Sequence, residues 1–95
     1  MIEAQLSKTT SQKRIVTLYA NVIEHFSAVE QSGGKSMHVG HIKSIEITTD
    51  KKGKHTLTIT SPHISFLNDQ VDDAQLDKVK EWIVEVQRAM KSTSL

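Results

Sequence analysis

The chain has no cysteine and one proline, Pro62. Without cysteine there is no disulfide framework, no zinc ribbon and no thiol nucleophile. Aromatic residues are scarce: Tyr19, Phe26, Phe66 and Trp82. No apolar run approaches the roughly 18 residues of a membrane span. Met1 to Ser7 carries Glu3 and lacks the basic start and apolar middle of a signal peptide. A soluble, cytoplasmic chain is therefore expected. Charge of one sign is missing too. The net charge is +1, which selects no polyanionic partner. The asymmetry is mild, with eight Lys/Arg against five Asp/Glu up to Lys54 and four against six from His55 onward.

What is present fits one domain over residues 1–95. A chain this short buries only about 60–65% of its unfolded surface, so each large side chain counts. The clearest element lies between Val71 and Lys91. Leu76, Val79, Trp82, Ile83, Val86 and Met90 recur at three- and four-residue steps, one face of an amphipathic helix over about 72–91. Asp72 is placed as its N-cap, Gln75 as the capping-box partner, and Val71 with Leu76 as a hydrophobic staple. Lys78, Glu81 and Glu85 make the opposite, solvated face. Ser92–Leu95 reads as a frayed tail.

Upstream, period-two alternation predicts strands. One pair runs through Ile15–Tyr19 and Val22–Val29, joined by a tight turn with Asn21 near positive φ. Glu30 to Lys35 holds Gly33-Gly34 and reads as a loop. Ser36–Val39 is a short strand broken at Gly40-His41. Ile45–Thr49 and His55–Thr60 form a hairpin whose turn, Asp50-Lys51-Lys52-Gly53, wants Gly53 in the left-handed region. After Pro62, His63–Leu67 reads as a strand with Ile64 and Phe66 on one face. Ile2, Ala4 and Leu6 alternate with Glu3 and Gln5, so the N-terminus supplies a seventh strand. No helix separates the strands, which argues against a parallel sheet.

Three stretches resemble the pleckstrin-homology-like (PH-like) fold, in its small bacterial form. They are Asp77–Ala89 with Trp82 inside the last helix, Ser36–Ile47, and His55–Ser61. The resemblance implies a bent antiparallel sandwich or barrel of six or seven strands, with Trp82 of the C-terminal helix plugging an open end. It also implies a non-enzymatic binding module. A protein or peptide partner is expected, at an exposed sheet edge or in a groove between an edge and the helix. In lipid-binding members two basic loops form a headgroup pocket. The matching residues here are Lys8, Lys13, Arg14 and Lys35. The family pattern has a basic-x-basic pair, whereas Lys13 and Arg14 are adjacent, and adjacent strand residues face opposite sides. At most weak, peripheral binding of anionic lipid is expected. A self-assembling subunit paired through edge strands is the competing class.

Other chemistry has little support. Gly34-Lys35-Ser36 echoes the end of a P-loop, but Val29 stands where the motif needs glycine and a strand follows instead of a helix. His25, His38, His41, His55 and His63 read as partly exposed sheet histidines, with no spacing that gathers a metal. No serine sits in a nucleophile elbow, so neither enzyme activity nor a cofactor is expected. Tyr19, Phe26 and Phe66 are assigned to apolar faces, which leaves no stacking platform for nucleic acid. Val84 lies off the helix stripe as a candidate contact.

Overall fold

The computed structural model describes residues 2–7, 14–27 and 34–93. Lys8, Lys13, most of the Glu30–Lys35 loop and the end of the C-terminal tail lie outside the described residues. Among the described residues, seven strands form two antiparallel sheets. The first has the order β1 (Ile2–Gln5), β2 (Arg14–Tyr19), β3 (Val22–Ser27) and β4 (Lys35–His38). The second has β5 (Ser44–Thr49), β6 (His55–Thr60) and β7 (Ser65–Val71), and the helix α1 (Leu76–Thr93) follows. Among the described residues, the sheets do not close on one another into a barrel. Between them lies one core, in which Val16, Ile23, Leu57, Ile59 and Val71 meet Val79, Trp82 and Val86 of α1. The helical stripe is thus the cover of the sandwich, as its spacing predicts.

The β5–β6 hairpin follows from its turn. Gly53 has φ +81°, and the Gly53 and Lys54 N–H groups bond to Asp50 on the carbonyl and carboxylate respectively. Nothing lies within 4 Å of the place a Cβ would occupy at Gly53. The cost of a side chain there is backbone strain alone, so Gly53→Val should lose about 1–2 kcal/mol. Urea unfolding checks this, and an unchanged midpoint would contradict it. The β2–β3 turn uses Ala20 (φ 50°) as well as Asn21 (φ 66°), the two left-handed residues of a type I′ turn.

Several expectations are corrected. Asp72 holds an extended N-cap backbone, but its side chain makes no capping hydrogen bond. A 3₁₀ turn, Asp73–Gln75, precedes α1, and the Gln75 N–H bonds to the Asp72 carbonyl at 2.9 Å. That tight turn satisfies a helix-start N–H with backbone, which displaces the capping box. The helix ends at Thr93, not Lys91. β4 begins at Lys35, and Val39–His41 is a 3₁₀ turn that sets the His38 and His41 rings edge to face, 6.3 Å apart. β7 is Ser65–Val71, not His63–Leu67, and Ile64 stays outside it, exposed. Ile59 pairs with Leu67 and Thr60 with Ser65, so Phe66 is the extra residue of a bulge. Both Phe66 and Leu67 are consequently buried.

The first sheet also departs from the expected faces. β2 is apolar at both parities, so alternation alone cannot orient it. Its register with β3 opposes Leu18 to Ile23 and Val16 to His25, and this face is the buried one. Tyr19 and Phe26 therefore stand on the outer face, 67% and 47% exposed, instead of in the core. In their place, the polar residues His25 and Ser27 point inward.

Candidate functional site

Two features could carry function. The first is a polar corner where the inner faces of both sheets turn hydrophilic. From β2 comes Arg14, from β3 His25, and from β7 Asp69, which pairs with Leu57 and so faces inward. The Arg14 guanidinium bonds the Asp69 carboxylate and, at 2.9 Å, the Gln70 carbonyl. His25 is only 5% exposed, and its Nε2 lies 3.4 Å from Asp69 Oδ2 without hydrogen-bond alignment. Partial burial raises the Asp69 carboxyl pKa. The His25 side chain, the Arg14 charge and the Gln70 backbone N–H outweigh that and hold it below its ordinary value.

Beside this cluster opens a cleft of about 360 Å³ lined by His25, Lys35, Asn68 and Asp69 among others, with no residue from α1. Lys35 is the strand partner of His25, one residue after Gly34. A Cβ on Gly34 would come within 2.9 Å of the His25 carbonyl oxygen, so glycine is what lets the chain pass there. Of the four basic positions singled out in the sequence, Arg14 belongs to the corner through Asp69 and Lys35 lines the cleft beside it, while Lys8 and Lys13 lie outside the described residues. Arg14 is already engaged by Asp69. Among the described residues, the cleft then presents one lysine and one buried histidine next to a carboxylate. No group of three His, Cys, Asp or Glu among the described residues could hold a metal.

A second polar chain was not legible in the sequence. Thr49 Oγ1 lies 2.8 Å from His55 Nδ1, and His55 Nε2 lies 2.7 Å from Asp73 Oδ1. The hydroxyl is exposed at the end of a strand. The chain of contacts joins β5, β6 and the turn before α1, which is the geometry of a staple. His25 is thus buried, unlike the partly exposed histidine the sequence suggested, whereas His55 is half-buried as expected.

The second feature is the free edge of β1. This strand pairs only with β2 among the described residues, and α1 packs against it. The Leu6 N–H donates to the Arg14 carbonyl at 2.8 Å. Antiparallel alternation then directs the backbone groups of Ala4 and Ile2 toward β2, and those of Glu3 and Gln5 toward the open edge. Next to that edge is a groove of about 440 Å³ lined by Ile2, Glu3, Lys78, Glu81, Trp82 and Glu85. The helix face assigned to solvent from its charges therefore forms one wall of a groove. Trp82 is 1% exposed, and its Nε1 has no hydrogen-bond partner among the described residues. Among the described residues, no helix is long and apolar enough to cross a membrane. Comparison with protein-family models, with curated proteins and with solved structures finds no match to this chain.

Proposed function

We propose that the chain is a PH-like domain acting as a non-enzymatic binding module, and that its partner is an extended protein segment added to β1. The observation that carries this reading is the open β1 edge, with two outward-facing residues, flanked by a groove whose other wall is α1. In strand addition, main-chain hydrogen bonds supply affinity and side-chain pockets supply choice. A groove and an edge side by side offer both.

The polar corner supports the alternative, weak binding of anionic lipid, less well. Asp69 stands in the cleft and occupies Arg14, so a phosphate would meet a carboxylate there. The Thr49–His55–Asp73 chain supports catalysis less well still, because its hydroxyl is exposed at a strand end and its contacts are those of a staple between β5, β6 and the turn before α1.

Strand addition is tested with peptides selected from a random phage-displayed library on the immobilised chain. Bound peptides should shift the amide resonances of Glu3 and Gln5. Glu3→Pro removes an outward donor without removing a bond to β2. It should weaken peptide binding by about tenfold, the value of roughly one hydrogen bond, with little change in thermal unfolding. Equal affinity in a folded Glu3→Pro variant would contradict the site.

A further inference from the structure

The charge of the β1–α1 groove identifies the chemistry of its partner, an inference that rests on the strand-addition reading above. Glu3 of β1 lines one side of the groove, and Glu81 and Glu85 of α1 line the other. Among the described residues, Lys78 is the one cation lining the groove. Glu85 is held by Arg88 at 2.8 Å, one turn further along the helix surface. Glu3 and Glu81 have no ion pair among the described residues. Ile2 and Trp82 are the apolar residues that line the groove.

We propose that the groove takes a basic extended segment, with Lys or Arg at positions that alternate with an apolar residue. A strand laid on the β1 edge sends every second side chain to the same side. Long basic side chains place their methylene stems along apolar surface while their heads reach a charged rim. Here the stems would cross Ile2 and the heads would reach Glu81, while Glu3, on the opposite face of β1, adds to the negative field of the rim. The carboxylates are exposed, so the attraction acts mainly on partner choice and association rate and is screened by salt. The same rim disfavours a second copy of the chain, because pairing two β1 edges would bring two acidic walls together.

The test uses the selected peptides themselves and the full chain. Peptides whose binding shifts the Glu3 and Gln5 amides should carry an excess of Lys and Arg over Asp and Glu. Their affinity should fall by about fivefold or more between ~0.05 M and ~0.3 M NaCl. The double variant Glu3→Lys, Glu81→Lys changes two exposed side chains, so a wild-type thermal transition is expected. It should lose about tenfold in affinity for the basic peptides and select acidic ones in their place. Peptides that engage the β1 amides without basic excess and without salt sensitivity would overturn the charge inference and leave strand addition standing. A selection that yields no peptide engaging those amides would overturn both. A concentration-dependent dimer that protects the same amides would replace the basic segment by a second copy.

Discussion

Trp82→Ala should remove about 3–5 kcal/mol of stability, the range for truncating a large buried side chain. That is a large part of the 5–15 kcal/mol typical of a whole domain. Trp82 is buried in the core that α1 covers, with Val79 and Val86 about one turn to either side. Trp82→Phe separates packing from polarity. It loses part of the ring but also deletes an indole N–H that finds no partner among the described residues. An unsatisfied buried donor costs about 1–3 kcal/mol, so the phenylalanine variant should lose only about 1 kcal/mol or less. Thermal and urea unfolding of the two variants check this. An alanine variant that melts within a few degrees of wild type would mean that α1 does not cover the core.

Asp69→Ala should be the next most damaging change, at about 2 kcal/mol. Removing one partner of a fully buried ion pair costs about 3–5 kcal/mol. The side chains here are 19% and 26% exposed, so water recovers part of that. The alanine variant leaves the Arg14 guanidinium in the corner without its carboxylate. The pH dependence has a definite sign. The folded Asp69 carboxyl is held below its ordinary value, after partial burial is outweighed by His25 and Arg14. A depressed carboxylate contributes stability in full above the unfolded aspartate pKa of about 3.9. It loses that contribution as pH falls through the lower folded value. Wild type should therefore exceed Asp69→Ala by a constant margin from pH 7 down to about 5, and the margin should shrink below about pH 4. A margin that grew on acidification would contradict the ion pair.

Where one physical signal dominated, the fold was legible in the sequence. The three- and four-residue recurrence from Leu76 to Met90 marked α1 and the face that Trp82 buries. Gly53 marked the β5–β6 turn, because its φ is one that only glycine adopts without strain. The two-residue alternation from Ile2 to Leu6 placed β1, on which the functional reading now rests. Illegibility came from two sources. In β2, Ile15 and Tyr19 compete with Val16 and Leu18 for the core, and only pairing with Ile23 decides between them. In β7, the Phe66 bulge shifts the register, so a reading by strict alternation misplaces the strand and misses that Asp69 faces inward.

Both candidate sites depend on such non-local facts. Arg14 and Asp69 are 55 residues apart in sequence. Lys78, Glu81 and Glu85 read as a solvated helix face until β1 is set beside them. One local signal could have hinted at the corner. β3 alternates Ile23, His25 and Ser27 against Glu24 and Phe26, and a strand whose polar residues share parity with its core residue breaks the usual pattern.

The open edge of β1 is the central claim, and amide hydrogen exchange on the isolated monomer tests it most directly. Glu3 and Gln5 should exchange fast, while Ala4 and Leu6 should be slowed by their bonds to β2. Addition of a selected basic peptide should slow Glu3 and Gln5 specifically. Protection of Glu3 and Gln5 already present in the free monomer, or none gained with saturating peptide, would contradict the account.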